Sequence, residues 1–412
     1  ARQLGRIMDI YREDVDKVIF VSPLELSTEI VSYWKAICSI RDPKAFEKIQ
    51  FIKPEAINNF PTHNMSLATI LKYSAEALNE IKRTILPYEN RTFIHGGLVA
   101  LDELAVAKYL DVPLVAPEWA CIDKYTHNKS NVKMALISAG LEVPPCRVDI
   151  RNLVQLSEML AELIIADPTQ TYYLVKMNNR VDGRGIMRLK LDPSTLECHE
   201  WLLQEYRKFG SQWKFPWAHE AALNRLYRLL PETIKKSTIC QPNDLIKKEQ
   251  VYSTYKSFER DMNKYGCVLE AEAVGADVGE VTAITVDIFV DPDDNITNIK
   301  DRFEILLTAD QIHAGNHLQH WGSTIPQSSI EMEVLEKKLT DLVEYLYEYE
   351  KFFGYLSVDF VTFFEEVEVE GENENEFEQV QKLWTIDFKF GISDQLANYW
   401  IGKNLATVPK QI

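Results

Sequence analysis

Two stretches toward the C-terminal end constrain the fold most. Gly354-Tyr355-Leu356-Ser357-Val358-Asp359-Phe360 and Trp384-Thr385-Ile386-Asp387-Phe388-Lys389 are apolar and rich in β-branched and aromatic residues, and each carries an acidic residue in its interior. Runs of this kind read as buried strands, Tyr355–Phe364 and Leu383–Phe390. Buried carboxylates at matching heights on neighbouring strands repel, so the pair implies a cation between them, either Mg²⁺ or a basic side chain. Between the strands, Glu365 to Glu378 holds eight glutamates in fourteen positions and no basic residue. That run reads as a solvated loop, about 365–380, at the tip of a hairpin.

The first 120 residues follow a different rule. Helical spacing over Ala1 to Asp16 leads into Lys17-Val18-Ile19-Phe20-Val21-Ser22, a β-branched run that reads as a buried strand. A helix over Glu25–Ile40, a strand over Ile49–Ile52, a helix over Met65–Ile85, a strand over Thr92–Ile94, a helix over Leu101–Leu110 and extended chain over Val112–Val115 follow. This alternation predicts a parallel α/β sheet.

Beyond residue 120, Lys129–Ala139 is an amphipathic helix stopped by Gly140. Tyr172–Lys176 and Gly185–Leu189 flank a polar turn and predict a β-hairpin. Residues 200–262 are rich in Trp, Lys and Arg and read as a helical insertion broken at Pro216, Pro231 and Pro242. Strands return at Val268–Ala273 and Val281–Val290, and a long helix covers Ser329–Phe353. No repeat of solenoid length is present.

Composition limits the function classes. A chain of 412 residues exceeds the size at which one core stops growing, about 250–300 residues, so two to three domains and a cleft between them are expected. Forty-five Lys and Arg against 62 Asp and Glu leave a net charge of −17, which repels nucleic acid and anionic lipid. The six cysteines stand apart with no CxxC, and no signal peptide or long apolar span is visible, which fits free thiols, a reducing cytoplasm and no membrane. The chain starts with Ala and ends without a tail, as a segment of something longer would.

Several side chains could carry chemistry. A phosphate needs cations and closely approaching backbone N–H groups; Lys129, Lys176 and the turn Asp182-Gly183-Arg184-Gly185 supply these types in order. Glu270 and Glu272, near a strand end, could accept hydrogen bonds from a ribose, or simply mark a charged strand edge. His313, His317 and His320 have the spacing of zinc ligands on one helical face, but Gly315 and Asn316 oppose a regular helix. Trp201, Trp213 and Trp217 with Lys208 and Lys214 could stack on single-stranded nucleic acid; with this net charge, a protein contact or a core role is the stronger reading.

Taken in order, these motifs resemble the ATP-grasp superfamily, with an α/β region resembling the domain that precedes ATP-grasp lobes. The resemblance implies α/β and α+β architecture: a Rossmann-like pre-ATP-grasp domain over 1–120, then a two-lobed ATP-grasp fold over 121–412 with its lid lobe at about 150–275. It also implies ATP between the lobes. The family's two phosphate lysines fall on Lys129 and Lys176, its glycine-rich lid on Asn178–Gly185, its adenine and ribose hinge on Glu270–Gly275, and its metal-binding acidic pair on Asp359 and Asp387. Within the superfamily, His95-Gly96-Gly97-Leu98, Asp310–Gly315 with Gly322–Gln327, and Thr385-Ile386-Asp387 are similar to the C-terminal half of the IQ-motif-containing protein H family. That family implies a place in the cytoplasm, in the axoneme of a cilium or flagellum, with other axonemal proteins as partners. No IQ motif is present, so calmodulin would bind only through chain not shown.

Active members of the superfamily place Asn two residues after the last acidic ligand and usually Arg two further on; this chain has Lys389 and Gly391 there. An ammonium beside Asp359 and Asp387 opposes Mg²⁺ in the same pocket. The expectation is therefore a degenerate ATP-grasp module with a structural or interaction role and residual ATP binding. The alternative is an active ATP-dependent carboxylate–amine ligase that forms an acyl phosphate.

Overall fold

The computed structural model describes residues 2–59, 65–88, 90–97, 99–180, 183–240, 252, 254–273, 281–313, 320–368 and 377–406. A 3₁₀ helix over Arg2–Tyr11 precedes β1 (Val18–Val21), α1 (Thr28–Arg41) and β2 (Ile49–Ile52), and β1 pairs with β2 in parallel. The helices α2 (Leu67–Lys72) and α3 (Ala75–Ile85) divide the stretch expected as one helix, the break falling at Tyr73 and Ser74. The Ser74 hydroxyl there donates to the Ile70 carbonyl and accepts from Ala56 N–H. After α4 (Leu101–Leu110), the strands expected at Thr92–Ile94 and Val112–Val115 shrink to a parallel bridge between Ile94 and Leu114. Among the described residues the N-terminal sheet is therefore two strands and a bridge, packed beneath its helices.

Two further helices, α5 (Trp119–Tyr125) and α6 (Lys129–Ser138), lead into the rest of the chain. Asn128 caps α6, its carboxamide oxygen accepting from Asn131 N–H at 3.1 Å, and this fixes Lys129 at the first helical position. The stretch expected as the lid lobe contains a five-stranded antiparallel sheet of β3 (Cys146–Ile150), β4 (Tyr172–Met177), β5 (Ile186–Lys190), β6 (Thr238–Cys240) and β7 (Cys267–Ala271), in the order β3-β7-β4-β5-β6. The expected β4–β5 hairpin is present. Helices α7 (Leu153–Ala166), α8 (His199–Phe209), α9 (Pro216–Lys236) and α10 (Tyr255–Tyr265) cover this sheet. Pro216 opens α9, where its missing N–H is harmless, whereas Pro231 lies inside that helix and does not end it. Pro242 lies outside the described residues. Leu202, Leu226, Leu230 and Phe258, from the stretch read as an insertion, share one core with the strands.

The C-terminal lobe is a second five-stranded sheet of β8 (Thr282–Val290), β9 (Phe303–His313), β10 (His320–Thr324), β11 (Gly354–Glu368) and β12 (Phe377–Phe390), ordered β10-β9-β8-β11-β12. Its apolar face packs on α11 (Met332–Glu350) and α6. The β11–β12 hairpin is present, but its ladder runs on to Glu368 opposite Phe377, so both ends of the stretch expected as a loop over 365–380 are strand; residues 369–376 lie outside the described residues. The last helix, α12 (Asp394–Ala406), returns to the N-terminal domain, where Trp400 and Ile401 join the core built by Leu4, Ile7 and Met8.

Candidate functional site

Strand register builds the floor of the cleft. Asp359 stands directly opposite Asp387, and Ser357 opposite Lys389, on β11 and β12. On the other side of β11, Thr285 faces Asp359 and Asp287 faces Ser357. Side chains two residues apart share a face of a strand. The sheet therefore presents two polar rows, Asp287-Ser357-Lys389 and Thr285-Asp359-Asp387.

Each carboxylate of the expected metal pair already has a cation. Lys389 Nζ lies 3.0 Å from Asp359 Oδ2, and Lys129 Nζ lies 2.8 Å from Asp387 Oδ2. The other oxygen of Asp359 accepts from the Thr285 hydroxyl at 2.8 Å and from Gln311 Nε2 at 3.3 Å. Burial works against ionisation of Asp387, but the Lys129 and Lys389 ammoniums outweigh it and hold the carboxyl at about 2. Asp287 behaves in the opposite way: burial pushes it up to about 7, against the hydrogen bonds of Ser393 and Ser357. Its Oδ2 accepts from the Ser393 hydroxyl at 2.8 Å.

The lid sheet forms the facing wall. Glu270 lies on β7 between β3 and β4, in the interior of the sheet, so it marks no strand edge. It is buried between two ammoniums: Lys133 Nζ lies 3.0 Å from its Oε2, and Lys176 pairs with its Oε1. Burial raises the Glu270 carboxyl, but Lys133 and Lys176 reverse that and bring it below the ordinary range. Lys133 also donates to the Ile386 carbonyl at 2.9 Å and so ties the lid wall to the floor. Glu272, expected to meet a ribose, is paired with Arg188 at 2.6 Å, whose guanidinium lies 4.2 Å from the centre of the Tyr172 ring.

The walls enclose a cleft of about 2470 Å³, bordered by Lys129, Lys176, Glu270, Glu272, Asp359, Asp387 and Lys389, and on the N-terminal side by His95 to Gly97. Gly183 and Arg184 border it too, and Gly183 and Gly185 both turn at φ +71°. Val181 and Asp182 of that turn, and Val274 and Gly275 of the expected hinge, lie outside the described residues. Asn178, at the start of the expected lid loop, is buried and accepts from both the N–H and the hydroxyl of Ser130 at 3.0 Å. It anchors the lobes to each other.

Gly391 has φ +106°, and a Cβ there would fall 1.5 Å from the Gly97 carbonyl oxygen. The position that carries Arg in active relatives thus has no room for a side chain while the His95-Gly96-Gly97 loop is in place.

Other expected groups do not assemble. His313 ends β9 and His320 begins β10, their rings 6.3 Å apart across the pair, so the helical zinc face is not formed; His317 lies outside the described residues. Trp213 is buried with its indole N–H on the Ile165 carbonyl at 2.8 Å, Trp201 lies 4.9 Å from the Arg225 guanidinium, and Trp217 is exposed against Phe215. The three share no stacking surface. Sequence reasoning missed Lys133, four residues after Lys129 and so on the same face of α6. It also missed Asp287, the acidic residue in the apolar strand Thr282–Val290, which carries the same signal that flagged Asp359 and Asp387.

The sequence model of the family described as IQCH-like, ATP-grasp matches residues 120–407. IQ motif-containing protein H of Danio rerio is 29% identical over 407 residues, 96% of this chain but 35% of the relative, so the chain spans about a third of that protein's length. Among solved structures, the chain is similar to the biotin carboxylase domain of Hydrogenobacter thermophilus 2-oxoglutarate carboxylase, a complex with MgADP and bicarbonate. The TM-score is 0.45 at 14% identity, over 96% of this chain and 71% of that one. D-alanyl-alanine synthetase A of Vibrio cholerae is similar at a TM-score of 0.43 and 8% identity, over 95% of this chain and 99% of that one. By the match that runs through both five-stranded sheets and takes in Lys129, Lys176, Glu270, Asp359 and Asp387, the chain belongs to the IQCH-like ATP-grasp family.

Proposed function

We propose that this chain is a non-catalytic ATP-grasp module that holds an adenine nucleotide without a divalent metal and serves as a structural or interaction component of a ciliary or flagellar assembly, the location the sequence resemblance implies. The carrying observation is the pair of contacts Lys389–Asp359 and Lys129–Asp387, at 3.0 and 2.8 Å. Mg²⁺ does not fit this donor set, because each carboxylate is paired with an ammonium and the second oxygen of Asp359 is taken by Thr285 and Gln311. Among the described residues, no group of three or more His, Cys, Asp and Glu is placed to hold a metal ion.

A nucleotide fits better. Arg184 and Arg188 with Lys129, Lys133, Lys176 and Lys389 set six cations against Glu270, Glu272, Asp359, Asp387 and Asp287, an excess of one positive charge even with Asp287 ionised, which suits an anion. Lys129 and Lys176 border the cleft and would meet phosphates, with Arg184 and the Gly183–Gly185 turn beside them. Phosphoryl transfer also needs cationic stabilisation of the departing charge, which Gly391 cannot supply. The convergence of Lys129, Lys176, Asp359 and Asp387 on one cleft favours the second reading, an ATP-dependent carboxylate–amine ligase. An ATP turnover assay with Mg²⁺ on the native protein and on Lys389→Asn separates the two. The expected result is no turnover in the native protein and a gain of Mg²⁺ dependence in the variant; robust native turnover would sink the proposal.

A further inference from the structure

Glu270 and its two lysines hold a consequence for how the cleft takes an anion. The side chains of Glu270, Lys133 and Lys176 are 2%, 3% and 15% exposed, and of the two lysines Lys176 borders the cleft while Lys133 lies behind it. A phosphate that draws on Lys176 competes with Glu270 for the same ammonium. If Lys176 were its only counter-ion, success would leave an unpaired carboxylate in the interior, a strongly unfavourable state that the group escapes by taking up a proton. Lys133 prevents this. It is held by α6 and by the Ile386 carbonyl at 2.9 Å, its Nζ lies 3.0 Å from Glu270 Oε2, and neither contact involves Lys176.

We propose, resting on the nucleotide-binding reading above, that Lys133 is a positioning residue that keeps Glu270 ionised while Lys176 turns to a phosphate ligand, so that the ligand binds without proton uptake at this carboxylate. The groups facing Glu270 are Lys133 from α6, Lys176 from β4 and, across the ladder from β3, the Cys146 thiol, with Leu174 as the apolar neighbour in register. Asp387 also feels the Lys176 charge, but it keeps its own partner in Lys129.

The test is calorimetric titration of ADP with EDTA present at pH 8, in a background carrying Asp287→Asn so that this buried carboxyl cannot take up the proton, in Hepes and in Tris, whose different ionisation heats reveal proton uptake. The background protein is expected to bind with little uptake. Lys133→Met is expected to bind about tenfold more weakly and to take up close to one proton per ADP, and adding Glu270→Gln is expected to abolish that uptake and recover affinity. A purely structural role for Lys133 would weaken binding without proton uptake, and that result, or native affinity without uptake in Lys133→Met, would overturn the proposal. If Lys133→Met does not fold, the background protein decides: uptake near zero supports the proposal, and uptake of a full proton overturns it. Native protein that binds no ADP would instead overturn the nucleotide reading itself.

Discussion

Where the N-terminal domain meets the C-terminal sheet, backbone touches backbone; where the lid lobe meets the same sheet, charged side chains bridge the gap. In the first seam Val99 N–H donates to the Phe390 carbonyl at 3.1 Å and Ile392 N–H to the Gly96 carbonyl at 3.3 Å. Gly391 and Gly5 leave no space for a Cβ against Gly97 and Ala397. In the second seam Lys133 reaches Glu270 and the Ile386 carbonyl, and Asn178 holds Ser130. Close-packed backbone is indifferent to pH and offers a ligand nothing to compete for. An ionic seam is sensitive to charge, and a ligand of matching charge can enter it. The binding proposed above would therefore draw on the lid side, while the N-terminal seam is a close-packed joint with no room for a side chain at Gly391.

The largest effect is expected at the fixed joint. Gly391→Ala places a Cβ 1.5 Å from the Gly97 oxygen at a φ of +106°, and Gly5→Ala places one 1.8 Å from the Ala397 oxygen. Each should cost on the order of 4 kcal/mol or more in denaturant unfolding, with little dependence on pH. Next comes the ionic seam: Lys133→Met removes one of the two ammoniums on buried Glu270 and leaves Lys176 in place, and should cost about 1–3 kcal/mol. Partial recovery on adding Glu270→Gln would show that the loss is electrostatic rather than packing.

The floor gives two pH-dependent effects of opposite sign. Asp287 has a folded value of about 7 against an ordinary 3.8, so the folded state binds the proton more tightly and stability falls as pH rises from about 4 to 7. Asp287→Asn should therefore raise stability at pH 8 by roughly 2–4 kcal/mol and change little at pH 4. Asp387 is held at about 2, below its ordinary value of 3.8, so its contribution is present above about pH 4 and is lost as pH falls toward 2. Lys129→Met should flatten that acid limb by roughly 1–2 kcal/mol, read from acid unfolding curves.

Much of the floor was legible in the chain itself. A strand with one acid among β-branched and aromatic residues declares both its burial and its oddity, and a long acidic run between two such strands makes them a hairpin. The two runs therefore set Asp359 and Asp387 opposite each other, with Lys389 beside them as the substitute for a metal. The β4–β5 hairpin and α6 were legible for the same reason, since local periodicity and a stop residue decide them. What remained hidden depends on contacts distant in sequence. Lys133 is an ordinary helical lysine until β7 brings Glu270 to it from 137 positions away. The two halves of Met65–Ile85 are separated by a hydroxyl whose partner, Ala56, lies outside the window. Gly391 read as a missing arginine, and only the approach of the His95-Gly96-Gly97 loop shows that the site is filled rather than merely vacant.

Whether lysines stand where a metal would is decided by calorimetric titration of ATP into the native protein, once with EDTA and once with saturating Mg²⁺. Lys389 and Lys129 as permanent counter-ions of Asp359 and Asp387 predict binding in EDTA with a Kd that Mg²⁺ changes by no more than about twofold, under about 0.5 kcal/mol. Tight binding that appears only when Mg²⁺ is added would contradict the account, because the two carboxylates would then have released their ammoniums to hold a metal.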